Sequence, residues 1–299
     1  MSIGIQTRRI DPVTTLKILA CQVLIPQTVS KADRDAHVRR MATKIDEILR
    51  QERVDLVALP ELSTIDYSRE AFSQLDGLAE ELDDVSARAF GEVARRHGVA
   101  LAFGMPRREG RKFYISQVVL GRDGGLLGHY DKIHIAQFGA SMEKEYFQRG
   151  THLLTFNVGS FKISPIICYD IRFPELLRAL CDDQGTDVIL HCGAYARDES
   201  YYSWHQFAVT RAMENMTYLL SLNRAGSFFG RSIFCPPWVD ERHPEIVFPD
   251  EEVFRIVTLR RSELDEARRN YPFLRDRLSG YGELERDVAG AGTEVRLTP

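Results

Sequence analysis

The chain has 299 residues, of which 44% are apolar, and its formal net charge is −4. This composition is ordinary for a globular protein, and the weak negative charge gives no electrostatic footprint for nucleic acid or an anionic membrane. The apolar run from Ile18 to Pro26 is too short to span a bilayer, and Met1 to Val13 lacks the apolar segment of a secretory signal. We therefore expect a cytoplasmic protein that binds neither nucleic acid nor membranes.

The cysteines give no sign of a disulfide framework or a metal site. Their number is odd, no pair has the CxxC spacing, and their positions fit no zinc site. We predict free thiols, no metal and no cofactor, with at most one catalytic cysteine. The five are Cys21, Cys168, Cys181, Cys192 and Cys235.

The first third of the chain alternates strands with amphipathic helices. Apolar residues at helical spacing predict a helix from Lys31 to Leu49, with Ser30 as its N-cap. A second helix is predicted from Leu78 to Arg96, stopped by Gly98. Three apolar runs predict strands: Leu16–Leu24, Val54–Leu59 and Val99–Phe103.

Two hairpins follow, and the alternation then resumes. The hairpin strands are Tyr114–Leu120 with Leu126–Ile133, and Leu153–Val158 with Phe161–Ile167. Later helices are predicted at Phe173–Leu180, at Tyr202–Asn215 and from Ser262, and later strands at Asp187–His191, Thr217–Leu222 and Val253–Leu259. Pro165 argues for a sheet edge or a bulge. This pattern predicts an α/β protein with mixed sheets. We expect one domain over residues 14–284, with terminal extensions at 1–13 and 285–299.

Two charged side chains follow apolar strands. Glu61 comes directly after Leu59-Pro60, at a strand end where α/β folds place active sites. Partial burial there would raise the pKa of a carboxyl and suit it to be a general base. Lys132 closes a hairpin strand and would supply positive charge to an oxyanion. Each signal is weak alone, because charged residues at strand ends are usually solvated. His134 is a rival base, which we interpret as a hydrogen-bonded structural histidine.

Cys168 ends the apolar run Ile166-Ile167, and Pro174 is well placed as the first residue of a helix. A thiol at such a strand-to-helix switch lies close to backbone N–H groups and to the positive end of a helix dipole. Both favour the thiolate over the thiol. The alternative is a buried structural cysteine, as free cysteines often are.

Together these motifs resemble those of the nitrilase superfamily, the carbon–nitrogen hydrolases with a Glu-Lys-Cys triad. The resemblance covers about Leu16 to Leu284, and Tyr-Asp after the cysteine is similar to the amidase branches. It implies an α–β–β–α sandwich of two mixed sheets that associates into a homodimer or a larger homo-oligomer. The matching segments are Leu59-Pro60-Glu61, Tyr130-Asp131-Lys132-Ile133-His134 and Cys168-Tyr169-Asp170-Ile171-Arg172-Phe173-Pro174-Glu175.

The resemblance also implies a role for each residue. Glu61 would be the general base for Cys168, which attacks an amide carbonyl and forms a thioester with release of ammonia or amine. Lys132 and the backbone N–H of Tyr169 would stabilise the oxyanion. Glu143 falls where the family has a second glutamate and would orient the substrate or the lysine. The alternative for Glu143 is one acid among several on an exposed loop.

Arg172, four residues beyond Cys168, bears on the substrate. A guanidinium there can bind a carboxylate bidentately, and the alternative is a salt bridge to Glu175 or another acid. We therefore expect hydrolysis of a small-molecule amide, with a distal carboxylate on the substrate as a hypothesis. Hydrolysis of N-carbamoyl amino acids or amines is the next alternative, and nitrile hydrolysis the third. A non-catalytic scaffold is the alternative from another class, but the intact Glu61, Lys132 and Cys168 argue against it.

Overall fold

A computed structural model describes residues 14–278, 280–282 and 284, so the predicted extensions 1–13 and 285–299 lie outside the described residues. The strands are β1 (Thr15–Gln22), β2 (Leu56–Ala58), β3 (Ala100–Glu109), β4 (Lys112–Leu120), β5 (Leu126–Asp131), β6 (Phe156–Val158), β7 (Phe161–Ile167), β8 (Val188–Cys192), β9 (Tyr218–Leu222), β10 (Ile233–Cys235), β11 (Ile246–Val247) and β12 (Val253–Arg260). The α-helices are α1 (Lys31–Leu49), α2 (Arg69–Phe72), α3 (Leu75–Leu78), α4 (Val85–His97), α5 (Pro174–Arg178), α6 (Tyr201–Glu214), α7 (Arg261–Asn270) and α8 (Phe273–Asp276).

The strands form two six-stranded sheets of mixed direction. The first has the order β12-β1-β2-β3-β4-β5, in which β1, β2 and β3 are parallel and the remaining pairs antiparallel. The second has the order β11-β10-β9-β8-β7-β6, with β7, β8 and β9 parallel. Each parallel group lies inside its sheet. The strands that precede Glu61 and Cys168, β2 and β7, therefore belong to the two parallel groups.

Side chains alternate between the two faces of each strand, and this alternation builds the layers. From β1, Leu16 and Ile18 pack between the sheets, together with Leu190 of the second sheet. Leu19, on the other face of β1, packs with side chains of α1 and α4 such as Met41. On the outer face of the second sheet, β7 and β8 pack against α5 and α6. The result is the predicted α–β–β–α sandwich.

The helix α1 has the predicted bounds, and the Ser30 side chain accepts a hydrogen bond from the backbone N–H of Asp33. The predicted helix from Leu78 is wrong at its start, because α4 begins only at Val85. The residues before it include Glu80, which forms an isolated bridge alongside β3. Strands β10 and β11 were not predicted, since three and two residues carry too little periodicity.

Pro165 lies in a part of β7 that pairs with β8, whereas the pairing of β6 with β7 reaches only to Ile163. This segment is therefore a sheet edge, as the proline predicts. None of the helices within the described ranges combines the length and the apolar character that crossing a bilayer requires.

Candidate active site

Three buried ionic side chains meet beyond the ends of β2 and β5. Lys132 Nζ donates to Glu61 Oε1 at 2.8 Å and to Glu143 Oε1 at 2.6 Å, and all three side chains are 0% exposed. Glu143 begins a 3-10 turn, Glu143–Glu145, and its Oε2 accepts from the Ala136 N–H at 2.8 Å. Glu143 is thus a second buried partner of the lysine, and its interpretation as an exposed loop acid is wrong.

The charges of this cluster set its protonation states. Burial raises the pKa of Glu61 from 4.5 to about 7, against the opposing attraction of Lys132. Burial alone would lower the pKa of Lys132, but the Glu143 and Glu61 carboxylates outweigh it and raise that pKa well above its usual value. Among the described residues, Glu61 Oε2 is buried without a hydrogen-bond partner. An unpaired buried oxygen costs stability. It also leaves Glu61 one carboxylate oxygen that no described residue occupies.

The backbone that follows Glu61 is held in a strained conformation. Leu62 has φ 46°, in the left-handed region. Nη2 of the buried Arg224 donates to the carbonyl oxygens of Glu61 at 3.3 Å and of Leu62 and Ile65 at 2.8 Å each. A glycine is required at Gly104, because a Cβ there would lie 2.5 Å from the Leu62 nitrogen. These contacts fix the direction in which Glu61 leaves its strand.

Cys168 lies at the first residue after β7 and is also strained. Its φ is 46° and its exposure is 9%. It begins the 3-10 turn Cys168–Arg172, and Pro174 then starts α5 in the position that the sequence predicts. Such a sharp turn between strand and helix projects a side chain away from the sheet. Strain of this kind persists only where the surrounding structure enforces it.

Asp170 enforces the turn and ties it to the lysine segment. Its Oδ2 accepts from the Ile167 N–H at 3.0 Å and from the Tyr130 hydroxyl at 2.8 Å. Its Oδ1 accepts from the His134 backbone N–H at 2.9 Å and contacts His134 Nδ1 at 2.8 Å. Tyr130 and His134 flank Lys132 in the chain, so Asp170 holds the two segments together. His134 is engaged here rather than beside the thiol.

The protonation state of Cys168 differs from the sequence expectation. Burial, followed by the negative charge of Glu61, raises the pKa of the Cys168 thiol, although Lys132 and the backbone N–H of Ala194 oppose that rise. The expected preference for thiolate is therefore wrong for the resting site. A 3-10 turn and a five-residue helix offer little dipole against burial and two nearby carboxylates. The thiol needs a base when it reacts.

A narrow cleft opens over the cysteine. Cys168, Tyr169 and Arg172 line it, together with residues from two loops, 136–141 and 194–200. The side chains of Glu61, Lys132 and Glu143 are fully buried.

Arg172 is half-buried beside the cleft and has weak partners. Its guanidinium donates to Ser203 Oγ at 3.4 Å and to the Ser200 carbonyl oxygen at 3.3 Å, and its Nε is buried without a partner. The guanidinium lies 4.9 Å from the ring centroid of Phe207. Within the described part of the chain it forms no ion pair, and Glu175 is exposed. Arg172 therefore forms no salt bridge to Glu175. Against the effect of burial, hydrogen bonds from Ala140 and Ser200 and the charge of Arg172 lower the pKa of Asp198, an acid that lines the same cleft.

The structure places at the site several residues to which the sequence analysis assigned no role. Tyr67 donates its hydroxyl to Glu143 Oε1 at 2.8 Å, and His191 and Tyr195 both contact the Cys168 carbonyl oxygen. Asp170 and Tyr130, whose contacts were also not predicted, lie inside motifs that match the family. The others carry no local signal, because their contacts join distant parts of the chain.

One further group within the described ranges has the spacing of metal ligands, namely His129, Asp131 and His152. The Asp131 carboxylate is already held by Arg107, with Nε to Oδ1 at 3.0 Å and Nη2 to Oδ2 at 2.7 Å. A cation would have to displace the guanidinium, so these residues are a poor fit for a metal.

Comparison with known proteins gives a consistent result. The family "Carbon-nitrogen hydrolase" matches residues 18–244. The chain is similar to the 2-oxoglutaramate amidase of Bacillus subtilis, with 30% identity over 62% of this chain and 72% of that protein. It is also similar to the human omega-amidase NIT2, with 27% identity over 72% of this chain and 80% of that protein.

Among solved structures, a carbon-nitrogen hydrolase from Helicobacter pylori superposes with a TM-score of 0.76 at 21% identity, covering 88% of this chain and 95% of that one. At this identity the likeness concerns the fold. Together with the family match over most of the chain, it shows that the protein belongs to the carbon–nitrogen hydrolase family, within the nitrilase superfamily.

Proposed function

We propose that this protein hydrolyses small amides through a thioester on Cys168, with Glu61 and Lys132 completing a catalytic triad. The observation that carries the proposal is the buried Lys132 ammonium, held between two carboxylates of which one, Glu61, keeps an unpaired oxygen. The charges of both Glu61 and Lys132 act on the Cys168 thiol. A base, a cation and a nucleophile are thus close together in a dry site, where electrostatic interactions are strong.

Each residue has a defined task in the first half-reaction. As the Cys168 sulfur attacks the amide carbon, Glu61 takes the thiol proton and the carbonyl oxygen becomes an oxyanion. Lys132 and the backbone N–H of Tyr169 donate to that oxyanion. Glu61 then gives the proton to the leaving nitrogen, the C–N bond breaks, and ammonia or amine departs. Lys132 keeps its charge throughout, because its neighbours raise its pKa well above the usual value.

The second half-reaction reuses the same groups. Glu61 removes a proton from water, and the resulting hydroxide attacks the thioester carbon. The C–S bond then breaks, the carboxylic acid leaves, and the proton returns to sulfur. Glu143 acts by holding Lys132 at 2.6 Å, so that the ammonium stays directed toward the reacting centre.

For the substrate, we propose an amide with a carboxylate at its far end. Arg172 supports this, because its guanidinium lies at the cleft and forms no ion pair within the described residues. The amidase relatives support it too, since one is named for 2-oxoglutaramate, which carries an amide at one end and a carboxylate at the other.

The test is ammonia release from a matched pair of substrates, glutaramate and pentanamide, which differ in the terminal carboxylate. We expect the wild type to prefer glutaramate and Cys168→Ala to release nothing. Arg172→Met should lower kcat/KM for glutaramate by about 10- to 100-fold and for pentanamide only a few-fold, as loss of a charge-assisted contact predicts. Equal losses on both substrates would contradict the role of Arg172.

Two further substrates separate the other chemistries. N-Carbamoyl-β-alanine tests the carbamoyl alternative and 4-cyanobutanoate tests the nitrile alternative, each under the same conditions. Faster turnover of either one than of glutaramate would replace the amide proposal. We also propose that the chain forms a homodimer or larger homo-oligomer, which sedimentation equilibrium would measure directly.

A further inference from the structure

The carbonyl oxygen of Cys168 accepts two hydrogen bonds from buried side chains. His191 Nε2 lies 3.0 Å from it, and the Tyr195 hydroxyl donates to it at 2.8 Å. His191 belongs to β8, and Tyr195 follows that strand in a loop that lines the cleft. The mechanism above uses neither residue. A carbonyl oxygen has two lone pairs and can accept from both side chains, and together they restrict how this peptide group can turn.

The direction of the His191 hydrogen bond is determined by its neighbours. A carbonyl oxygen only accepts, so the proton of the imidazole is on Nε2. Burial lowers the pKa of His191 to about 4, so the ring is neutral and Nδ1 is an acceptor. Ser221 Oγ lies 2.7 Å from Nδ1 and itself accepts from Trp204 Nε1 at 2.7 Å. The chain of donors therefore runs from Trp204 through Ser221 and His191 to Cys168.

Tyr195 is fixed by the same tryptophan. Its ring stacks on Trp204 with centroids 4.6 Å apart and an interplanar angle of 6°. Its backbone N–H donates to Asn223 Oδ1 at 2.8 Å, and Asn223 Nδ2 donates to its carbonyl oxygen at 3.1 Å. The two donors to Cys168 thus share a rigid support built from α6, β8 and β9.

The Cys168 carbonyl and the Tyr169 N–H belong to one planar trans peptide group, in which they point in opposite directions. Fixing the oxygen therefore fixes the direction of that N–H. Hydrogen bonds accepted by a peptide oxygen also polarise the group and strengthen its N–H as a donor. From this we infer that His191 and Tyr195 are positioning residues that orient and strengthen the Tyr169 N–H for the oxyanion. The inference rests on the proposed function, which assigns that donor its role.

The test compares two reactions of Cys168. Acetylation by p-nitrophenyl acetate passes through a tetrahedral oxyanion, whereas alkylation by iodoacetamide does not. Tyr195→Phe should slow the acetylation burst about tenfold, and His191→Gln less, because its amide retains a donor. Tyr195→Phe with His191→Phe should slow it by about 100-fold, close to the loss of one oxyanion donor. The rate of alkylation should stay within about twofold of wild type.

Matched controls isolate the two contacts. Tyr218→Phe removes a hydroxyl that donates to the Arg260 carbonyl oxygen, and His152→Gln alters a histidine in contact with the His129 carbonyl oxygen. Both should leave both rates unchanged. Tyr195→Phe is nearly isosteric, so it remains informative even where the double variant does not fold.

Three results for the His191 and Tyr195 variants would overturn the inference. Acetylation and alkylation could slow in parallel, which would mean that the thiol itself is displaced. Alternatively, the acetylation rate could be unchanged, or the variants could bind the ester more weakly while the maximal burst rate is preserved. Failure of the proposed function is a separate result. It would be seen as no ammonia from any amide by the wild type, and the ratio of the two Cys168 reactions would still test the inference.

Discussion

Asp131 and Lys132 are neighbours in the chain, and both carry buried charges, but they belong to two different ionic groups. Both oxygens of Asp131 are taken by Arg107, and Ser116 also donates to Oδ1. The group around Lys132 is incomplete, because Glu61 Oε2 has no partner among the described residues. Both groups are buried, but they differ in whether every charged oxygen has a hydrogen-bond partner.

This difference separates a structural ion pair from a reactive one. A buried group whose hydrogen bonds are all made is rigid and contributes to a unique fold, while an incomplete one is costly. A protein keeps such a cost where chemistry needs it. We therefore expect substitutions in the Lys132 group to affect turnover most, and substitutions in the Asp131 group to affect folding most.

The largest expected effect is that of Glu61→Gln on turnover. The amide oxygen can still accept from Lys132, but it cannot take the thiol proton, so kcat should fall by about 10³- to 10⁴-fold. The unfolding midpoint in urea should be unchanged or higher, since a buried charge is removed. Stopped-flow acylation together with urea titration would check both. A large loss of stability with activity retained would mean that Glu61 has a structural role, like Asp131, and is not the catalytic base.

Arg107→Met should have the next largest effect, this time on stability. It leaves the Asp131 carboxylate buried without its partner, which costs about 3–5 kcal/mol of unfolding free energy. Turnover per folded molecule should change only a few-fold. The control is Arg107→Met with Asp131→Leu, which should recover much of the stability because no charge remains unpaired. A large decrease in kcat in a folded Arg107→Met variant would mean that the Asp131 group is also needed for turnover, so that the two ionic groups are not functionally separate.

The smallest effect is a pH dependence that belongs to the Lys132 group. Burial raises the pKa of Glu61 from 4.5 to about 7, so kcat/KM should fall about tenfold per pH unit below that value and level off above it. Stability should change in the opposite sense. The raised pKa means that the folded state favours protonated Glu61, so unfolding free energy decreases as pH rises from 4.5 toward 7.

The measurements are rate profiles and urea titrations over that interval, with Glu61→Gln as the control. The variant should lose the pH dependence of stability that Glu61 causes. A flat wild-type rate profile through pH 7 would exclude Glu61 as the base with the raised pKa.

The sequence by itself determined the elements and residues that depend on local pattern. The bounds of α1 follow from the spacing of its apolar residues and from the Ser30 cap. Glu61, Lys132 and Cys168 could be selected because each follows an apolar strand inside a recognisable motif. The α–β–β–α arrangement was implied by the resemblance, and the structure confirms it.

The contacts, the burial and the pKa values of those residues were decided only by the tertiary structure. Lys132 lies 71 residues from Glu61 in the chain, and His191 lies 23 from Cys168, so their contacts leave no local trace. The raised pKa of the Cys168 thiol, the buried position of Glu143 and the absence of an ion pair for Arg172 within the described residues all depend on which segments fold together. Burial and through-space charge are properties of that packing, and they outweighed the local helix dipole from which the thiolate was predicted.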